Sequence, residues 1–181
     1  MSNEWLRTSK GNNDECYTPK YGVLPLLEFM EKFRGKIIWC PFDTEESEFV
    51  KVFKENGFDV EYSHIKNGQN YYEYEPKKWD LMISNPPFTN KAEIFKRALS
   101  FNKPFALLMT VAWLNDSAPA KIFKDSGLQL LSFDSRMTFK NQEQKKINYL
   151  SAYYCYKFLP KDLIFRSFNN INQMKLWSAA K

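Results

Sequence analysis

Short apolar runs alternate with stretches of helical periodicity along most of this chain, and no other feature constrains its fold as strongly. KIIWC (Lys36 to Cys40), FDVEYSHI, WDLMIS, PFALLMT, LQLLSFD and LSAYYCYKF are brief, rich in β-branched or aromatic residues, and bounded by Gly, Pro, Asn or Asp, which is how strands read. Helical segments lie between them. Thr18 and Pro19 suit the N-cap and first position of PKYGVLPLLEFMEKF, which Pro25 should kink. Asp43 or Thr44 can cap EESEFVKVFKEN, ended by Gly57, and Asn90 with Glu93 suits the start of KAEIFKRALSF. A short helix is expected near Ala120 to Lys124 and one more from about Lys161.

Strands separated by helices cross over the sheet and pair in parallel. LSAYYCYKF follows LQLLSFD without a clear crossover helix, so it is expected to run antiparallel. The reading is an α/β fold of Rossmann-like type: a mostly parallel sheet with an antiparallel last strand and helices on both faces. In such sheets ligands bind beyond the carboxyl ends of the strands, where strand order reverses.

A length of 181 residues suggests one domain, read as 14–181 behind a flexible, polar lead of residues 1–13. Apolar residues at 44% and charged residues at 26% argue against disorder. No apolar run approaches a membrane span, and the polar start does not read as a signal peptide. Cys16, Cys40 and Cys155 form neither a zinc pattern nor a disulfide framework, so a cytoplasmic location is expected. A net charge of +5 with 17% aromatics suits a nucleic-acid partner, because cations meet phosphates and rings stack on bases; packing in the core is the alternative fate of those rings.

The sharpest local signal is Asn85, Pro86, Pro87, Phe88, directly after WDLMIS. Two prolines hold the backbone extended and remove two N–H donors, leaving carbonyls free to accept. Asn85 adds a side-chain acceptor and Phe88 a flat apolar face. Together they describe a pocket for a planar group bearing an amine, such as adenine. The exocyclic amine of adenine is a poor nucleophile because its lone pair is delocalised into the ring. Two acceptors on its N–H bonds, the Asn85 oxygen and the Pro86 carbonyl, would localise that pair for in-line attack on a methyl group, with positioning supplying much of the acceleration. Phe88 would stack on a base taken out of its helix, where stacking is worth roughly 1–3 kcal/mol.

ISNPPF resembles the (D/N/S)PP(Y/F) motif of amino-group methyltransferases that use S-adenosylmethionine. More closely, the chain resembles the EcoRI-methylase-like adenine-N6 methyltransferases, whose small members are often carried by phages and mobile elements. The segments behind this are DECYTPKYGV, IIWCPFDTEESEFVKVFKENGFDVEYSHI, YYEYEPKKWDLMISNPPF, LQLLSFDSRMTF and SAYYCYKFLPKDLIF, in family order over most of residues 14–168. The resemblance implies a methyltransferase fold and a cofactor, S-adenosylmethionine. It implies that Tyr17, Thr18 and Pro19 lie under the cofactor's methionine end, and that Cys40, Pro41, Phe42 and Asp43 form the first cofactor loop. Phe42 would pack near the adenosyl or methionine moiety. Asp43 would accept from the cofactor's ammonium group or cap the next helix. Asn85, Pro86, Pro87 and Phe88 would carry the transfer. The chain departs from related enzymes at three places. CPFD lacks the glycines of many first loops. Ser63 and His64 stand where a carboxylate often holds the ribose, His64 serving either there or as a structural hydrogen-bonding group. Asn70, Tyr71, Tyr72 replace Asp-Phe-Phe, so Asn70 would meet the cofactor adenine through its amide oxygen, without charge.

SRMTFKNQEQKKINY follows the fifth strand and so starts at the same carboxyl edge. Read as a β-hairpin or long loop, it would bring Arg136, Lys140, Lys145 and Lys146 to a nucleic-acid backbone beside the pocket; the competing reading is a solvated loop. Lys91, Lys96 and Arg97 extend that surface or form the wet face of a helix. Glu45, Glu46 and Glu48 read as a helix start rather than a metal site. Trp5 and Trp113 are candidate pocket walls, the tyrosines 153, 154 and 156 read as packing, and Cys40 reads as a small filler. The expected activity is methylation of the N6 amine of adenine in DNA or RNA, with DNA preferred. Little room for a target-recognition region suggests loose specificity, action on single strands, self-association as a homodimer or an accessory subunit. The alternatives are a degenerate fold acting as a binding subunit and a protein-glutamine N-methyltransferase.

Overall fold

The computed structural model describes residues 16–141 and 145–168, so the expected lead 1–13, Trp5 and the end of the tail lie outside the described residues. The chain enters through a two-residue strand, β1 (Cys16–Tyr17), and a single helical turn, α1 (Lys20–Val23). Two 3₁₀ turns follow, Leu24–Phe29 and Glu31–Phe33. The continuous helix expected here is therefore broken rather than kinked. Pro25 lacks the N–H that an α-helical bond needs and falls in the first turn of the 3₁₀ segment. Pro19, with extended backbone, is the N-cap, one position later than expected, and the Thr18 hydroxyl caps nothing.

Next come β2 (Ile37–Cys40), α2 (Glu48–Glu55), β3 (Asp59–Tyr62), β4 (Leu81–Ser84), α3 (Lys91–Ser100), β5 (Phe105–Thr110), α4 (Ser117–Phe123) and β6 (Gln129–Phe133). The start of α2 also shifts: Ser47 is the N-cap, and neither Asp43 nor Thr44 takes that place. Asn90 does precede α3, but in the left-handed region (φ 54°) and with no side-chain cap bond. The basic segment after β6 is a hairpin, β7 (Met137–Asn141) with β8 (Lys146–Tyr149), followed by β9 (Ser151–Tyr156) and β10 (Leu163–Arg166).

The main sheet has the order β10-β6-β9-β5-β4-β2-β3. β3, β2, β4 and β5 pair in parallel, and β9 runs antiparallel to both β5 and β6. LSAYYCYKF is thus the antiparallel strand, but not the last one. The helix expected from Lys161 gives way to β10, which pairs in parallel with β6. Without β10 the strand β6 would expose a row of unpaired backbone groups, and four residues are too few to carry a helical period of their own.

Side-chain alternation divides the core in two. Ile38, Cys40, Leu81, Ile83, Ala106 and Leu108 face Val23 and Leu26 of the N-terminal turns and Phe49 and Phe53 of α2. Trp39, Met82, Phe105, Leu107 and Met109 face Ile94, Phe95 and Ala98 of α3 and Phe123 of α4. Helices therefore cover both faces, as uninterrupted apolar strands require. From β2 the chain winds to β3 on one side and returns to β4 on the other. The carboxyl ends of β2 and β4 flank this reversal, where a crevice opens in such sheets. A second, antiparallel sheet has the order β1-β7-β8. Its inner side chains, Met137 and Phe139, join the first core, and the Thr138 N–H donates to the Tyr21 hydroxyl at 2.8 Å.

Candidate active site

β4 ends at Ser84, and the chain turns through Asn85, Pro86, Pro87 and Phe88 at the reversal point. Asn85 Nδ2 donates to the carbonyl of Cys16 in β1 at 3.1 Å. That bond fixes which end of the carboxamide is nitrogen. It leaves Asn85 Oδ1 buried and without a partner among the described residues. An unsatisfied buried acceptor costs about 1–3 kcal/mol, and most native structures avoid it, so its presence at a strand end points to a ligand's N–H. Phe88 is half-buried, its ring edge-to-face with Tyr149 of β8 at 5.3 Å. The corner is thus held by the small sheet at two places, through Cys16 and through Tyr149.

Behind the corner, Asp43 joins the loop after β2 to the end of β4. Ser84 Oγ donates to Asp43 Oδ2, and Ser47 Oγ donates to Oδ1 at 2.6 Å. The Asp43 N–H donates to the Ser63 carbonyl at 3.2 Å, so the loops after β2 and β3 are tied as well. Burial pushes the Asp43 carboxyl up to about 6, and the two serine bonds pull the other way without prevailing. Both of its oxygens already accept from hydroxyls, one of them that of Ser47, the N-cap of α2. The sequence offers one hint of this clamp, the spacing of four between Asp43 and Ser47; Ser84 gives none.

The remaining expected cofactor residues fall around this crevice in different ways. Thr18 is buried with its hydroxyl unpartnered among the described residues, beside the half-buried Pro19. Tyr17 is 51% exposed and faces away from the core that Cys16 packs against. Cys40 is fully buried and its thiol is raised by desolvation, consistent with a filler and not a nucleophile. Pro41 is buried, and Phe42 is half-buried with its ring 4.6 Å from that of Tyr71. Ser63 is buried: its hydroxyl accepts from Trp39 Nε1 at 3.0 Å, a core bond. His64 Nδ1 accepts from the Lys66 N–H at 3.1 Å and caps a 3₁₀ turn, Ile65–Asn67.

Two residues of the third segment correct the expectation. The amide oxygen of Asn70 accepts from the Tyr72 N–H at 3.2 Å, and the orphaned buried atom is Nδ2. Asn70 therefore keeps an unused amide donor, which suits a ring nitrogen of adenine and not its amine. Tyr71 is 3% exposed, and its hydroxyl donates to the Ile94 carbonyl at 3.1 Å. Its ring lies in the core against Phe42.

Trp113 is likewise core, packed on Phe95, Phe123 and Tyr154. Glu45 and Glu46 pair with Lys54 and Lys51, Lys96 pairs with Glu93, and Arg97 donates to the Tyr74 carbonyl. Arg136, Lys140, Lys145 and Lys146 are exposed, on or beside the hairpin. Six buried side-chain atoms lack partners among the described residues, and three of them, on Thr18, Asn70 and Asn85, lie in the segments expected to form the site. The chemistry of S-adenosylmethionine matches that set. A hydroxyl suits its carboxylate or ammonium, an amide N–H suits its adenine, and the Phe42 ring suits an apolar face.

No family model matches the sequence, and no curated protein matches it. Among solved structures, the chain is similar to the methyltransferase subunit of a type I restriction-modification system from Streptococcus thermophilus, with TM-score 0.50 and 11% identity, over 98% of this chain and 56% of that one. It is also similar to a protein classed as an RNA methyltransferase from Pyrococcus horikoshii (TM-score 0.46, 11% identity, 89% of this chain and 98% of that one). A third is classed as a class I S-adenosylmethionine-dependent methyltransferase from Listeria monocytogenes (TM-score 0.47, 13% identity, 95% of this chain and 72% of that one). At such identities the likeness speaks for the fold, which is that of the methyltransferases.

Proposed function

We propose that this chain methylates the exocyclic N6 amine of adenine in nucleic acid, with DNA as the preferred polymer and S-adenosylmethionine as the methyl donor. The observation that carries the reading is the orphaned Asn85 Oδ1, held in place by the Cys16 carbonyl at the strand-order reversal. The shared fold with the restriction-modification methyltransferase subunit supports it only by analogy.

Thr18, Phe42 and Asn70 would hold the cofactor, with the backbone of Cys40, Pro41 and Asp43 shaping its loop. When bound, S-adenosylmethionine supplies an electrophilic methyl on a sulfonium, with a neutral thioether as leaving group. Asn85 Oδ1 accepts one N6–H and, with the Pro86 carbonyl, draws the nitrogen toward a tetrahedral shape so that its lone pair can form the N–C bond. The methylated nitrogen then loses its surplus proton to water, so no strong general base is needed. Pro86 and Pro87 hold the acceptors rigid, which lowers the reorganisation required during the step. Phe88, braced by Tyr149, offers a ring to an extruded base. Arg136, Lys140, Lys145 and Lys146 would hold phosphates.

The deciding experiment incubates the protein with methyl-labelled cofactor and separate pools of DNA, RNA and protein, then digests the products. Label on N6-methyladenine supports the proposal. Label on protein glutamine, or cofactor binding without transfer to any pool, overturns it.

A further inference from the structure

The small sheet carries a cross-strand row that sets Tyr17 in line with two of the lysines proposed to hold phosphates. Tyr17 of β1 is directly opposite Lys140 of β7, and Lys140 is directly opposite Lys146 of β8. Residues directly opposite one another share a face, so one tyrosine and two lysines stand in line on the outer side. The inner side is the one closed by Cys16, Met137 and Phe139 against the core. Tyr17 is half-exposed and both lysines are exposed. Like charges directly opposite each other destabilise a sheet, and no carboxylate among the described residues pairs with either lysine. Thr138 and Asn148, one row along on the same face, bond each other at 2.7 Å and so do not relieve it.

The row also stands beside the catalytic corner. Cys16, whose carbonyl holds Asn85, is the residue before Tyr17, and adjacent Cα atoms lie about 3.8 Å apart. A flat ring at the end of a row that continues through two cations suits an unstacked base and the phosphates that follow it. A duplex keeps its bases stacked inside and offers such a ring nothing to stack on.

We infer that the outer face of the β1-β7-β8 sheet is a platform for single-stranded DNA, with a base stacked on Tyr17 and phosphates on Lys140 and Lys146, so that a neighbouring adenine reaches Asn85. This deepens the proposed function and takes from it DNA as the polymer. It reassigns Tyr17 from the cofactor to the substrate strand.

The test is fluorescence anisotropy of the full chain with end-labelled oligonucleotides of one sequence, as single-stranded DNA, duplex DNA and single-stranded RNA, across a salt series. Single-stranded DNA is expected to bind tightest. Tyr17→Ala is expected to weaken it roughly 5- to 150-fold, the equivalent of one lost base stack, while Tyr17→Phe binds as the wild type. Lys140→Gln with Lys146→Gln is expected to reduce the slope of log affinity against log salt by about 1.4, two phosphates' worth on a single strand. Tighter binding of duplex or RNA overturns the inference, as does an unchanged affinity in Tyr17→Ala or an unchanged slope in the double variant. Methyl transfer to adenine that is indifferent to Tyr17→Ala removes the platform and leaves the proposed function standing. Tyr17-dependent binding without any methyl transfer does the reverse.

Discussion

Asn85 and Cys16 are 69 positions apart, and one hydrogen bond between them decides the polarity of the candidate catalytic corner. Because the Cys16 carbonyl can only accept, it captures Nδ2 and commits Oδ1 to the other side, where nothing among the described residues satisfies it. A backbone group from the small sheet thereby sets which way the Asn85 amide faces at the end of the main one.

Asn85→Ala removes the acceptor together with the bond from Nδ2 to the Cys16 carbonyl. Methyl transfer should fall by at least about 100-fold, the scale on which single preorganised hydrogen-bonding groups act. Cofactor affinity measured by calorimetry should change less than threefold, since Thr18, Phe42 and Asn70 are untouched. Near wild-type transfer in this variant contradicts the mechanism.

Asp43 gives a prediction for pH. Its folded-state carboxyl titrates near 6, above the ordinary 3.8, so between those values the native state binds the proton more tightly than the unfolded chain does. Stability from this group is therefore full below about pH 4 and declines as pH rises through 6, by up to about 3 kcal/mol. Urea midpoints taken from pH 4.5 to 7.5 should show that decline, and Asp43→Asn should flatten it. A wild-type midpoint that climbs over this range, unaltered by the substitution, removes the buried clamp as its cause.

The strand and helix order was legible because fully buried strands and amphipathic helices leave opposite periodicities in the sequence. β10 was not, because Leu163–Arg166 is too short to show a period, and its state is decided by the open edge of β6. NPPF was legible as a corner from two adjacent prolines after an apolar strand. The direction of the Asn70 amide was not, because a local bond to the Tyr72 N–H competes for its oxygen. Nor was the core position of Tyr71, which differs from Tyr72 only in which way the turn points it. The Asp43 clamp depends on Ser84, 41 positions away, and a contact of that kind has no local signature.

Phe88 links the corner to the hairpin through Tyr149. Phe88→Ala should lower transfer chiefly by raising KM for nucleic acid, since it removes a stacking surface and not the acceptor. Tyr149→Ala, which leaves the Phe88 ring in place but unbraced, should give the same direction with a smaller effect. Steady-state kinetics on one oligonucleotide distinguishes them; an effect of Phe88→Ala confined to kcat contradicts the stacking role.

Gly22 tests how closely the hairpin seats on the entry turn. A Cβ there would lie 2.7 Å from Met137 Sδ, 2.8 Å from its Cε and 3.2 Å from Thr18 Cγ2. Alanine in a helix gains up to about 1 kcal/mol over glycine, but overpacking a closed core costs about 1–3 kcal/mol, and Met137, at 1% exposure, has little space to yield. The clash should win, so Gly22→Ala is expected to lower stability by about 1 kcal/mol or more. Met137→Ala costs stability alone, through the cavity it leaves, yet in combination with Gly22→Ala it should cost less than the two separate losses added. Urea titrations of all four proteins measure that coupling. Strict additivity would mean that the hairpin does not press on Gly22 in solution.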